Sequence, residues 1–241
     1  DGDRITSITT LSGRTYGGKM FIDATYEGDL MAAAAVDYHV GREAQSVYDE
    51  KWAGVQVGVL HHGHHFGKMN ISPYVVPGDP KSGLLPLLQD IPIGPLGSAD
   101  KLTMMYAFRW VLSKKDPIRI EKPDDYDPRR YEIFRRGFQK GVDMRAGRKM
   151  HVLGEYLENN GWGIFSGNSS RALWAQSVAG ENAAYPDGDW ATRSRIWRDQ
   201  MNFVRGMYHF LRTDPSAPAD LRERAEAIGF QRGIFDETNG W

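Results

Sequence analysis

Apolar positions in this chain come in short runs broken by polar turns, and one stretch organises the rest. Met20-Phe21-Ile22 ends in Asp23; the polar segment Ala24-Thr25-Tyr26-Glu27-Gly28-Asp29 follows, then small apolar residues to Val36. The pattern predicts a buried strand, a tight polar turn and a short alanine-rich helix lying close to that strand. In open α/β sheets ligands sit outside the carboxyl ends of the strands, which is where this turn would lie. Upstream, Ile5, Ile8 and Leu11 alternate with Thr and Ser, Ser12-Gly13 makes a turn, and Arg14 to Asp23 returns, which predicts a hairpin. Gly17-Gly18 in the returning arm suggests a bend.

Downstream, Asp37 to Gly41 and Trp52 to Val59 read as further short strands. Residues 71–97 carry Pro73, Pro77, Pro80, Pro86, Pro92 and Pro95, too many for a long helix. The interspersed Tyr74, Val75, Val76, Leu84, Leu85, Leu87 and Leu88 predict an irregular but ordered excursion. Leu102 to Leu112 reads as a strand whose sole charge is Arg109. Asp127-Pro128 opens a helix, with Asp at the N-cap and Pro at the first position; Tyr131, Phe134 and Phe138 form its stripe and Gly141 closes it. Asp187-Gly188-Asp189 caps a long helix to about Thr213, with Ile196, Met201, Val204, Tyr208 and Leu211 on one face and Pro215 beyond its end. Ser216 to Ile228 reads as a last helix with Gly229 as its C-cap.

Composition adds bounds. The 241 residues are 41% hydrophobic, enough to bury a core, and the net charge of -1 gives no general attraction to nucleic acid or anionic membrane. There is no cysteine, which removes disulfides, thiol nucleophiles and Cys-ligated metal. No apolar run is long enough to span a bilayer. The chain opens Asp1-Gly2-Asp3-Arg4 directly into a strand pattern and closes at Asn239-Gly240-Trp241, which reads as an excerpt of a longer protein.

The segment Phe21-Ile22-Asp23-Ala24-Thr25-Tyr26-Glu27-Gly28-Asp29 resembles the "ID-A-T-G-x-G-D" element of FAD-dependent oxidoreductases of the glutathione-reductase-like type, with two dinucleotide-binding domains. Tyr26 stands where glycine is usual. Tyr38 to Glu43, Tyr74 to Pro80, Gly83-Leu84-Leu85-Pro86, Tyr106 to Arg109 and Gly180 to Pro186 look like one bacterial subfamily, some of whose members carry the label xanthan lyase. The family's N-terminal Gly-x-Gly-x-x-Gly is absent from this sequence, as is its C-terminal flavin-contacting segment, so the resemblance implies the middle portion of such an enzyme. It implies an α/β to α+β chain. Residues 1–58 would be part of a FAD-binding domain, and residues 59–241 a substrate or cap domain with irregular loops and C-terminal helices. It also implies FAD as cofactor and hydride transfer between flavin and a small-molecule substrate, which the resemblance does not name.

On that reading Ala24, Thr25, Tyr26 and Gly28 are the cofactor-binding residues, with backbone N–H groups near phosphate at a helix N-terminus. Glu27 and Asp29 would repel a phosphate and are better suited to bonding backbone N–H groups, Asp29 as a helix cap. Arg42 either faces the cofactor cleft or forms a surface ion pair, the usual meaning of an adjacent Arg42-Glu43. Arg109, alone in an apolar strand, needs a partner, either a carboxylate of the fold or an anionic or sugar-like substrate. His61 and His62, with His64 and His65, match no closed zinc spacing; one of them, or His39, is a candidate general base. Arg109, His61 and His62 are thus the catalytic candidates, and no metal is expected. Asn159, Asn160, Asn168, Asn182 and Tyr185, with Trp162, Trp174 and Trp190 near, suit a polyol or a sugar, or simply turn geometry. They also sustain a second class: a carbohydrate-binding or carbohydrate-processing domain without flavin.

Overall fold

A computed structural model describes residues 4–57, 70–108, 110–140, 164–167, 178 and 180–240, with 164–167 described by their backbone. The chain divides into two compact units, Asp1–Gly41 and Arg42–Trp241. Helices are mixed with small antiparallel sheets, in keeping with the α/β to α+β class.

The first unit is a hairpin and one turn of helix. β1 (Ser7–Thr9) pairs antiparallel with β2 (Thr15–Gly17), Ile8 opposite Tyr16. Helix α1 (Asp29–Ala33) follows the polar turn. The hairpin and helix are shorter than the sequence pattern predicts, and Asp37 to Gly41 forms no strand. Nor is Met20–Ile22 a buried strand: Met20 is 80% and Ile22 82% exposed. The reason is size. Two three-residue strands and a five-residue helix offer too little surface to bury an apolar run, whatever its pattern.

In the second unit α2 (Gln45–Tyr48) is a single turn, and the expected strand at Trp52 is absent over the described residues to Val57. Arg42 and Asp100 form an isolated antiparallel bridge. The proline-rich excursion is ordered, as its apolar residues predict. Tyr74 pairs with Leu84, a 3-10 turn spans Pro80–Ser82 with Asp79 accepting from Lys81 N at 2.9 Å, and Leu85 is buried. Arg136 clasps the near end of this loop: its NH1 donates to the carbonyls of Ser72 at 3.0 Å and Tyr74 at 2.6 Å, and its NH2 to Val75 at 2.9 Å.

The sheet of this unit has the order β4-β3-β5, with β3 (Trp110–Ser113) central between β4 (Ile164–Gly167) and β5 (Gly229–Phe230), both antiparallel to it. Only the last residues of the expected strand Leu102 to Leu112 are in the ladder. The Asp127-Pro128 signal starts a 3-10 turn, Pro128–Tyr131, that runs into α3 (Glu132–Gln139); Asp127 accepts from Arg129 N at 2.9 Å. α4 (Trp190–Thr213) starts under Asp189, which accepts from Thr192 N at 2.8 Å. α5 (Ala219–Ala227) follows.

The core lies where α3, α4 and the sheet meet. Tyr131 stacks on Phe203 and Phe210 at 5.5 and 5.4 Å and donates to the Phe203 carbonyl at 2.8 Å. Burial pushes its phenol well above the ordinary tyrosine range. Trp110 packs on Phe230 and Tyr208. The stripes predicted for α3 (Tyr131, Phe134, Phe138) and α4 (Ile196, Met201, Val204, Tyr208, Leu211) are all buried. Gly206, buried in α4, is glycine because a Cβ there would overlap the Tyr131 hydroxyl.

Gly229 is not the C-cap that its place after α5 suggests. It lies in β5, without a left-handed φ, and is glycine because a side chain would overlap the Ile118 carbonyl.

Asp214, at the C-terminus of α4, joins this helix to α3. It accepts from Arg135 at 2.7 and 3.1 Å, from Ser216 N at 3.0 Å and from Ser216 Oγ. Burial alone would raise its pKa, but the donors outweigh it and hold the carboxyl below its usual range. A depressed folded pKa contributes stability that is present above about pH 4 and is lost as pH falls through the folded value. Asp214→Asn is therefore expected to cost about 2 kcal/mol at neutral pH, allowing for the solvent that reaches one side of the pair. The gap between the two proteins in urea midpoint should close below about pH 4; a constant gap across pH would show that the carboxylate charge contributes nothing.

Candidate functional site

The polar turn of the first unit is built by Asp23. Its Oδ1 accepts from Thr25 N at 3.0 Å and from Thr25 Oγ1 at 2.7 Å, and its Oδ2 accepts from Leu30 N at 3.1 Å and Met31 N at 3.4 Å. Thr25 Oγ1 in turn accepts from Gly28 N at 3.1 Å. One carboxylate thus ties the start of the turn to α1. The Thr25 hydroxyl bond, with backbone donors behind it, lowers the Asp23 pKa, so the group is charged at neutral pH. Gly28 precedes the helix in the left-handed region, φ +67°, and contributes no side-chain cap. The cap expected of Asp29 comes instead from Asp23, six residues back; Asp29 sits in the first turn, where its charge suits the helix dipole.

This arrangement changes what the turn offers. At the helix N-terminus, where the sequence reading places backbone N–H groups near a phosphate, the α1 N–H groups of Leu30 and Met31 donate to Asp23. What the turn leaves open is the segment Ala24-Thr25-Tyr26. All three residues are exposed, and Tyr26 is as exposed as in a free peptide.

Arg42, in the second unit, is engaged by Asp100. Its Nε donates to Asp100 Oδ1 at 2.9 Å and its NH2 to Oδ2, while the two backbones exchange hydrogen bonds of 2.9 and 3.1 Å. The pair moves both pKa values apart: Arg42 holds Asp100 down, and Asp100 holds Arg42 up. Its partner is thus not Glu43 or Glu43's surroundings but a residue 58 positions on, which no local pattern announces.

Arg109, His61 and His62 lie outside the described residues, as do His64, His65, Asn159, Asn160, Asn168, Trp162 and Trp174. Of the amide and aromatic group, Asn182 is fully buried and its Nδ2 donates to Thr103 Oγ1 at 3.2 Å and to the Met104 carbonyl at 2.7 Å. It fixes a loop to the 103–104 segment. Tyr185 and Trp190 converge on Arg193, whose guanidinium lies 5.6 Å and 5.4 Å from their ring centres. Neither Asp23 as organiser of the turn nor Arg193 as the centre of an aromatic cluster stands out in the sequence; the i, i+2 spacing of Asp23 and Thr25 was the one available sign of the first.

A family model described as FAD dependent oxidoreductase matches residues 1–239. The chain belongs to the FAD-dependent oxidoreductases. No curated protein and no solved structure matches it. Membership makes FAD the cofactor of this oxidoreductase and flavin-dependent redox chemistry its class. It also decides between the two classes that the sequence left open, in favour of the flavoprotein. No helix among the described residues is long and apolar enough to cross a membrane.

Proposed function

We propose that this FAD-dependent oxidoreductase transfers a hydride between a small, sugar-like substrate and the flavin, and that the turn at residues 23–28 is one of the surfaces against which FAD lies. The observation that carries the reading is the Asp23–Thr25–Gly28 network, which shapes the turn while keeping Ala24, Thr25 and Tyr26 open to solvent.

The chemistry of the turn decides which part of FAD it suits. Asp23 is charged, and Glu27 and Asp29 stand beside it, so a pyrophosphate here would meet like charge. The small side chain of Ala24, the exposed backbone and the Tyr26 ring suit the uncharged ring and ribityl parts of the cofactor. When bound, FAD supplies the hydride acceptor. The chain's own contribution at the turn is shape, exclusion of water from one face and a fixed negative charge. In this proposal Arg42, its charge met by Asp100, braces the 42–100 bridge. Arg109, His61 and His62 remain the candidates for proton handling and substrate orientation. The part residues 1–58 play is cofactor binding, and that of 59–241 is substrate handling.

The test is flavin content. The purified protein is expected to carry FAD, read from its visible absorbance and from FAD released on heating. Asp23→Ala should lower the flavin-to-protein ratio while leaving the thermal melt of the second unit in place, since Asp23 belongs to the first. Full flavin content in Asp23→Ala would remove the turn from the cofactor site. Anaerobic bleaching of the flavin by polyols or sugars, and not by simple alcohols, is the outcome expected for the substrate class.

A further inference from the structure

The N-terminal half of α4 presents a face that the hydrophobic core does not use. Trp190, Arg193, Ser194, Trp197 and Arg198 follow the i, i+3, i+4, i+7, i+8 spacing of one helix face. With Tyr185 they line a cavity of about 550 Å³, within the range of small-molecule sites, roughly 300–1,000 Å³. Trp190 is 55% and Trp197 44% exposed, large indole surfaces left to water beside a concavity. Trp197 is nonetheless held edge-on by Phe108 at 5.5 Å, the Arg193 guanidinium lies 5.4 Å from the Trp190 ring centre, and Tyr106 meets Tyr185 at 5.3 Å. Arg193 is buried and locked, its Nε donating to the Tyr185 carbonyl at 3.0 Å and its NH2 to Pro186 at 2.7 Å. Rings supported in this way present a pre-organised surface, which reduces the entropy lost on binding.

Charge selects the ligand. Two arginines line the cavity and, among the described residues, no carboxylate does. Two neighbouring acids are directed elsewhere: Asp189 caps α4 through Thr192 N, and Asp199 lies 3.9 Å from Arg195. Arg198 is exposed and makes no hydrogen bond or ion pair among the described residues. A cation beside exposed aromatic faces suits a ring that can stack on indole and carries an anionic group to meet the guanidinium.

We propose that this cavity binds a small carboxylate-bearing ring compound, stacked on Trp190 or Trp197 with its carboxylate at Arg198. Sugar acids and aromatic acids share this chemistry. The site rests on the second unit alone and does not depend on the flavin turn.

The experiment is a fluorescence titration of the purified full chain with D-galacturonate and with benzoate, each against its neutral counterpart, D-galactose and benzyl alcohol. Saturable tryptophan quenching is expected with at least one carboxylate. Trp197→Phe should remove much of the signal, and Arg198→Gln should weaken the binding carboxylate about tenfold, towards the level of its neutral counterpart, without changing the thermal melt. Binding of galacturonate alone identifies a sugar-acid site, and binding of benzoate alone an aromatic-acid site. Equal binding of the neutral compounds, a carboxylate preference that survives Arg198→Gln, or no saturable quenching by either acid would overturn the proposal. Because binding is read without flavin chemistry, a failure here is distinct from a failure of the cofactor assignment.

Discussion

Gly229→Val is expected to destabilise the second unit by about 3 kcal/mol or more and to lower its melting temperature by roughly 10 °C. The clash is with backbone. A Cβ at Gly229 would overlap the Ile118 carbonyl oxygen and stand 2.9 Å from Pro117 Cβ. That carbonyl accepts from Phe230 N at 2.8 Å, and Ile118 N donates to the Phe230 carbonyl at 2.9 Å. The Ile118 bridge and β5 cannot separate without breaking both bonds and withdrawing Phe230 from Trp110, its partner at 4.9 Å. Gly137 in α3 is the control. It is equally buried, but a Cβ there meets only Ile71 Cδ1 at 3.7 Å, an ordinary contact. Gly137→Ala is expected to be neutral or stabilising by about 0.5–1 kcal/mol, from helix propensity. Denaturant unfolding of the three proteins decides the matter; similar midpoints for Gly229→Val and wild type would mean that the β5 approach is looser than described.

Gly28→Val is expected to act on the cofactor instead of the core. Gly28 holds φ +67°, which a β-branched residue adopts at a cost of about 1–2 kcal/mol. Its N–H donates to Thr25 Oγ1 and its carbonyl accepts from Ala32 N at 3.0 Å, so relieving the strain dismantles the turn. An energy of that size corresponds to about a tenfold loss of FAD affinity if the cofactor requires the turn as it stands. Asparagine tolerates the left-handed region, so Gly28→Asn should retain most of the flavin. The measurement is the flavin-to-protein ratio after purification, followed by titration of the apoprotein with FAD. Full occupancy in both variants would show that FAD does not rest on residues 24–28.

The two glycines illustrate how differently the chain's features can be read. Gly28 stands at a boundary between an apolar run and an alanine-rich one, and a turn there is legible from the residues alone. Gly229 follows a helix in the position of a C-cap, yet its requirement comes from a bridge residue, Ile118, more than a hundred positions earlier. Sequence neighbours announce the first constraint; only packing reveals the second.

What the sequence determined by itself was set within a few residues: the Asp127-Pro128 and Asp189 helix starts, the stripes of α3 and α4, and the ordered proline-rich loop, together with the family. Caps, periodicity and turn residues act over one or two turns of chain, so their signals survive without a fold. Tertiary structure alone decided that Met20 and Ile22 are exposed, that Asp23 rather than Asp29 caps α1, that Arg42 belongs to Asp100 and that Arg136 holds the loop at residues 72–75. Burial depends on how much surface the neighbours supply, and a charged side chain takes whichever partner the fold brings within reach.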